Sequence, residues 1–378
     1  MNKLNQLTAL RFFAAFAVVI GHAGDYKPFS MYAVNFFNKS HAVSFFFVLS
    51  GFILSFVYKR FSSPADCWDF FTARVSRIFP VHAFTLFICI IAFWPDIYSA
   101  GSGNLDTMFI SNIFMIQSWI PDIKYYFSFN GVSWSISTEI GFYMLFPLMI
   151  YLIKRFGAIS FVIPAIASAC MIYLTIQWQL PIVGVNVIDA TGMIYINPLC
   201  RFFEFSLGIA ACMVYEKITT SDIKVLRTST VSILSLVMIF ASSSLVYYVG
   251  RIFQTSPQWP VSIYMFQNGM GIFFAVTICL VAACNGWIAR ALGNKFFVWL
   301  GEISFSLYMV HQLVIRFIVK YFQHEITINA GFVFSMYIIA SLILSAMVYH
   351  LIECPARKEL KEFFSSIKLK FCSFVHHA

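Results

Sequence analysis

The stretch Leu7-Thr8-Ala9-Leu10-Arg11-Phe12-Phe13-Ala14-Ala15-Phe16-Ala17-Val18-Val19-Ile20-Gly21-His22 decides how the rest of the chain is read. It is an apolar run of the length a bilayer-crossing helix needs, yet it carries an arginine and a histidine. It follows Met1-Asn2-Lys3 and lacks a small-residue cleavage site, so a retained first span is expected and not a removed signal peptide. A charge inside a span costs on the order of 3 kcal/mol or more and is a functional candidate by default. Eleven residues separate Arg11 from His22, which a helix turns into roughly 16 Å along its axis.

The same kind of run recurs along the chain. Of 378 residues, 60% are hydrophobic and only 11% charged, against about 25% charged in a soluble domain. A soluble enzyme, a disordered tail and a nucleic-acid module are thereby excluded. The pattern predicts an all-α polytopic membrane protein, a bundle of about ten transmembrane helices. The expected spans are 7–23, 42–58, 79–96, 131–153, 157–178, 198–216, 228–249, 261–284, 296–319 and 329–352. Helices are expected because a backbone in lipid must satisfy its own hydrogen bonds. Met108–Trp119 is too short to count as a span and is expected to be re-entrant or interfacial.

Loop charges orient the bundle. Arg74 and Arg77, Lys154-Arg155, Lys217 and Lys224, Arg290 and Lys295, and Arg357 to Lys370 fall on one side, which puts both termini in the cytoplasm, although Lys27, Lys39, Lys124, Arg251 and Lys320 on the other side dilute the contrast. Counting Met108–Trp119 as a span would break that pattern. The net charge of +9 is read as this loop excess and not as a polyanion site. The nine cysteines show no CxxC spacing and are expected as small core residues, with no metal site. Residues 1–357 form the membrane domain, and 358–378 are read as a short basic cytoplasmic tail. No internal repeat of the transporter kind is found.

Depth sorts the ionisable residues. His22, Glu139, Arg201, Glu204 and His311 fall in the outer halves of four different segments, which suggests a polar cavity open to the outer side. Arg74 and Arg77, Glu353 and Arg357 lie on the cytoplasmic side, with Arg11 nearer to it. Each has a plainer reading. Arg201 and Glu204, three apart, can simply neutralise each other. Glu353 and Arg357 have the spacing of a helix staple. Arg74 and Arg77 can be ordinary positive-inside residues. His22 and His311 can be satisfied packing histidines, His311 beside Tyr308, and Arg316 can snorkel.

Taken in order, these residues form a set that resembles the acyltransferase-3 family, bacterial membrane proteins that acylate carbohydrates of the cell envelope. The resemblance rests on Arg11 to His22, Phe46-Phe47-Val48-Leu49-Ser50-Gly51-Phe52 and Arg74-Val75-Ser76-Arg77-Ile78-Phe79-Pro80. It continues with Trp134-Ser135-Ile136-Ser137-Thr138-Glu139, Arg201-Phe202-Phe203-Glu204-Phe205, Gly301 to His311, and Ile352-Glu353-Cys354-Pro355-Ala356-Arg357. The basic motif departs from the family at Val75 and Ser76, where many members carry more arginine. A stand-alone member without a hydrolase-like SGNH domain is expected.

The resemblance implies a function and its residues. An acetyl group would pass from cytoplasmic acetyl-CoA, the acyl donor, to a hydroxyl of an envelope glycan, with lipopolysaccharide O-antigen favoured as acceptor. The location would be the bacterial inner membrane. His22 is expected as general base, Arg11 as its required partner, and Arg74 and Arg77 as the grip on the donor phosphates. Glu139 is expected to orient the imidazole, as the acid does in a Ser-His-Asp triad. A direct transfer and an acetyl-His22 intermediate both stay open. Arg201, Tyr308 or Ser137 would supply the oxyanion donor, and Trp134 would line the acceptor mouth. Glu204 and His311 are further candidates at that site. The partners are the donor, the glycan and membrane lipids, with no nucleic acid. Two rivals remain: a proton-coupled transporter, which intramembrane His and Glu also suit, and the same enzyme with a succinyl or longer acyl donor.

Overall fold

The chain forms a succession of helices in the computed structural model, which describes residues 4–26, 29–30, 39–101, 104–221, 223–254 and 259–377. In order they are α1 (Asn5–Ala23), α2 (Lys39–Val57), α3 (Pro64–Gly101), α4 (Leu105–Ile113), α5 (Ile123–Tyr126), α6 (Trp134–Phe156), α7 (Val162–Gln177) and α8 (Pro198–Thr220). There follow α9 (Ser229–Ile252), α10 (Trp259–Asn268), α11 (Gly271–Ala283), α12 (Trp287–Leu292), α13 (Lys295–Tyr321), α14 (Gln323–Ile328), α15 (Ala330–Val348) and α16 (Cys354–His377).

Nine stretches among the described residues are long and apolar enough to cross a membrane. One of them, Gly131–Gln177, holds both α6 and α7. These part at Gly157, whose φ of 65° suits a residue without a Cβ. Each of the ten expected spans is therefore a helix, one of them built from α10 and α11 together. The chain is a multi-pass membrane protein. Large apolar side chains face outward on its rim, including Ile163 and Ile166 on α7, Leu234 and Val237 on α9, and Ile339 and Ile343 on α15.

Two element boundaries differ from the sequence reading. α3 begins at Pro64, well before residue 79, because Asp66, Arg74 and Arg77 lower the hydropathy of its first turns without ending the helix. The basic tail is helical as well, and Lys368 of α16 bonds Asp69 of α3 at 2.6 Å. Met108–Trp119 does not cross. Its helix α4 has nine residues, a rise of roughly 13 Å. It turns back along α3 until the Asn112 carbonyl meets His82 Nε2 at 2.8 Å.

Close helix approach fixes the centre. A Cβ on Gly51 of α2 would stand 2.0 Å from the Phe205 carbonyl oxygen of α8, and one on Gly208 would stand 1.9 Å from that of Val48. Small residues at such a crossing let backbones meet without a side chain between them. A Cβ on Gly301 of α13 would likewise sit 1.9 Å from the Thr8 carbonyl oxygen of α1. Thr8 faces Gly301 and His22 faces His311, so α1 and α13 run in the same direction. The end of the bundle where α1 starts is called basal below, and the end where it finishes apical.

Candidate functional site

Two cavities enter this bundle from opposite ends. The basal one is narrow, with room for about 90 Å³ of solvent, and is lined by Arg11, Ser50, Arg74, Arg77, Glu139 and Tyr143 among others. The apical one is wider, about 620 Å³, and is lined by His22, Lys39, Trp134, Gln267, Gln312 and Arg316 among others. Val43 and Tyr308 line both. Tyr308 is held in this wall by Ser135 Oγ at 2.7 Å and by donation to the Val132 carbonyl at 3.2 Å.

The basal cavity gathers cations. Arg11, Arg74 and Arg77 line it together with one carboxylate, Glu139. Glu139 Oε1 accepts from Ser50 Oγ at 2.7 Å and from Tyr143 OH at 2.6 Å. Arg74 lies over the Tyr58 ring at 5.7 Å, and its Nε is buried with no hydrogen-bond partner. A buried guanidinium donor without a partner is costly, and an anionic ligand would satisfy it. Nearby, Glu353 is buried at the end of a π-turn and accepts from Ser306 Oγ at 2.7 Å, so that bond, across to α13, is its anchor.

His22, at the apical cavity, is one of an imidazole pair whose other member, His311, is buried behind it. His22 Nδ1 stands 3.0 Å from His311 Nε2, with the rings 5.1 Å apart. His311 Nδ1 lies 3.2 Å from the Leu307 carbonyl. A carbonyl only accepts, so His311 carries its proton on Nδ1 and presents a lone pair at Nε2. His22 must then donate from Nδ1, which leaves its own Nε2 as a free base. The bond to the Leu307 carbonyl thereby sets the tautomer of both imidazoles.

The remaining candidates fall in different places. Glu139 faces the basal cavity with the arginines, and the partner of His22 is His311. The expectation that Glu139 orients the imidazole is not met by any contact between them. The reason is reach: Trp134, one and a half turns earlier on α6, lines the apical cavity, and by Glu139 the helix already borders the basal one. Arg201 and Glu204 are fully buried and line neither cavity. Their charges meet at 3.0 Å. Arg201 also bonds Asn268 Oδ1, reaches Ser44 Oγ at 3.2 Å, and stacks on Phe47 at 4.8 Å and Tyr195 at 5.3 Å. Ser137 is likewise outside both cavities. Its hydroxyl donates to the Met115 carbonyl at 2.7 Å and accepts from the Ser118 amide at 3.1 Å. Trp134 does line the apical cavity, with its ring 4.7 Å from Tyr195. Arg316 donates to the Phe129 carbonyl at 2.8 Å and lies over Phe93 at 4.2 Å. It is thus held inside the protein and does not snorkel.

Sequence reasoning missed Ser50, Lys39, Gln267 and Gln312 as site residues. Ser50 had a signal, being the one polar side chain in the run Phe46–Phe52. Lys39, paired with Asp25 at the apical mouth, reads in sequence as a loop charge.

Comparison with known proteins identifies the family. A family model described as an acyltransferase domain, of the acyltransferase-3 family, matches residues 4–350. The chain is 26% identical to "Acyltransferase MdmB" of Streptomyces mycarofaciens, over 95% of this chain and 92% of that one. It is 24% identical to "Putative peptidoglycan O-acetyltransferase YrhL" of Bacillus subtilis, over 93% of this chain and 55% of that one. It is also 24% identical to "O-acetyltransferase OatA" of Staphylococcus aureus, over 88% and 55%. The chain therefore spans about half the length of the latter two. No solved structure matches. With the match running through every motif from Arg11 to His311, the chain belongs to the acyltransferase-3 family of membrane acyltransferases.

Proposed function

We propose that this protein moves an acetyl group from acetyl-CoA, entering at the basal end, to a hydroxyl of an envelope carbohydrate entering at the apical end. The observation that carries the reading is the pair of cavities that meet at Val43 and Tyr308, cationic on one side and furnished with an imidazole base on the other. Basal is cytoplasmic in this reading, since Lys59, Arg60, Arg74 and Arg77 lie at that end. The membrane would be the inner membrane of a bacterium.

The chemistry follows from the tautomers. His22 Nε2 takes the proton of the acceptor hydroxyl as its oxygen attacks the thioester carbonyl. The imidazolium formed is stabilised by its Nδ1–H bond to His311 Nε2, a charge-assisted bond at that moment. Collapse of the tetrahedral intermediate breaks the C–S bond, and the His22 proton goes to the departing thiolate. Tyr308, in the shared wall, would serve as oxyanion donor by turning its one O–H from the Val132 carbonyl to the developing oxyanion, since Arg201 and Ser137 stand outside both cavities. Arg74 and Arg77 take the donor phosphates, where the unpartnered Arg74 Nε has a place for an anionic oxygen.

For the acceptor, lipopolysaccharide O-antigen or a related envelope glycan is the favoured class. The peptidoglycan named for YrhL makes a cell-wall glycan the second. Labelled acetyl-CoA supplied to membranes containing the protein tests the whole reading. Label on an extractable glycan, lost with His22→Ala at unchanged protein level, is expected. A glycan that stays unlabelled while the wild-type protein is folded would overturn it, and a succinyl or longer-acyl donor would then be tried in the same assay.

A further inference from the structure

The apical cavity carries more recognition chemistry than a general base needs. Two amides border it, Gln267 from the end of α10 and Gln312 from α13. The Oε1 atom of each is buried without a hydrogen-bond partner. An unpaired buried amide oxygen costs about 1–3 kcal/mol, so two of them around one solvent-sized space point to hydroxyl or amide donors on a ligand. Gln312 is next in sequence to His311, and Gln267 precedes Asn268, which the buried Arg201 holds. Both amides are thus attached to fixed positions. Trp134 and Tyr195, with rings 4.7 Å apart, add an apolar wall to the same cavity.

The charge of this cavity is unbalanced. Its lining includes Lys39, Lys124 and Arg316 and one carboxylate, Asp25. Asp25 is already paired with Lys39. Arg316 spends one donor on the Phe129 carbonyl. Among the described residues, neither Lys124 nor Arg316 has a carboxylate within ion-pair distance. Two cations therefore border the space in which the acceptor would sit.

We infer that the apical cavity is a subsite for an anionic glycan, with Gln267 and Gln312 binding ring hydroxyls and Lys124 and Arg316 binding a carboxylate or phosphate on the same sugar or its neighbour. This rests on the reading that the acceptor enters apically. It adds a charge requirement and four specificity residues to that reading.

The test is a binding measurement made without any acyl donor, so that it is independent of catalysis. Envelope polysaccharide from the cells that make the protein is used in three forms: intact, carboxyl-reduced with carbodiimide and borohydride, and dephosphorylated with hydrofluoric acid. Thermal unfolding of the detergent-purified protein is followed with each. The intact form is expected to raise the melting temperature. One of the treated forms should lose that effect, which identifies a carboxylate or a phosphate as the anion. Lys124→Gln and Arg316→Gln should weaken binding about tenfold each, and Arg316→Lys should restore most of it, which a purely structural loss at Arg316 would not. Gln267→Leu and Gln312→Leu should weaken binding of every form. Equal stabilisation by all three forms, or no stabilisation by any, would overturn the inference. Failure of acetyl transfer alongside intact charge-dependent binding would instead count against the donor reading.

Discussion

Arg11 and His22 share one helix and open into different cavities, Arg11 basal and His22 apical. α1 therefore crosses the wall that Tyr308 and Val43 form between the two. The separation of roughly 16 Å along the helix is spanned on the basal side by a narrow cleft and on the apical side by a broad one. That asymmetry suits a slender acyl-bearing arm from below and a bulky carbohydrate from above.

Arg74 is expected to act on the donor alone. Arg74→Gln should raise KM for acetyl-CoA about tenfold to a hundredfold, the equivalent of the roughly 1.5–3 kcal/mol of a charged hydrogen bond, with kcat little changed. Acetyl-pantetheine, which has no phosphates, should be used equally by the variant and the parent. A variant equally impaired with both donors would remove the phosphate contact from the account.

His311 is expected to act through His22. His311→Ala removes the acceptor that fixes the His22 tautomer and should lower kcat about tenfold to a hundredfold, while His22→Ala should cost the 10²–10⁴-fold typical of a lost general base. The double variant should be no slower than His22→Ala, because the two act as one unit. Additive losses in the initial rates of labelled-acetyl transfer would separate them.

Glu139 belongs with the arginines. Glu139→Gln should therefore change the dependence on acetyl-CoA concentration and leave the acceptor KM alone. An effect confined to the acceptor KM would return Glu139 to the apical side.

Arg201 and Glu204 are expected to be a folding pair. Breaking a buried ion pair from one side leaves an uncompensated charge and costs about 3–5 kcal/mol. Arg201→Met should thus lower the melting temperature sharply, and Arg201→Met with Glu204→Met should regain part of the loss, short of the bonds to Asn268 and Ser44. If the double variant melts no higher than the single one, their mutual neutralisation contributes little.

Gly208 has no space for a side chain. Gly208→Val forces α8 away from α2 and should destabilise the protein by at least about 2 kcal/mol, read as a lower midpoint in detergent unfolding. An unchanged midpoint would mean that the crossing is not a constraint on the fold.

The helices were legible because apolar length is a property of the chain alone. Where the reading erred, it lacked a quantity that one dimension does not hold. The start of α3 was hidden because Asp66, Arg74 and Arg77 look like loop residues by hydropathy. Glu139 was placed by its depth along α6, which sequence gives, but its cavity depends on how far the basal cleft rises, which sequence does not. His311 was legible as a polar residue at the depth of His22, yet their contact follows from α1 and α13 running alongside each other, clamped where Gly301 meets Thr8. Gln267 and Gln312 gave no signal, since a neutral amide at the end of a helix or inside one is ordinary until its oxygen is found buried and alone.

The phenol of Tyr308 is tied to Ser135 and to the Val132 carbonyl, and that tether has an energetic meaning for the cell. In the proposed transfer, the wall that Tyr308 shares with Val43 would hold back ions and protons while an acyl unit is handed past it. Under that proposal, chemistry on the far side of the membrane would draw on a metabolite made on the near side without any large body moving through the lipid.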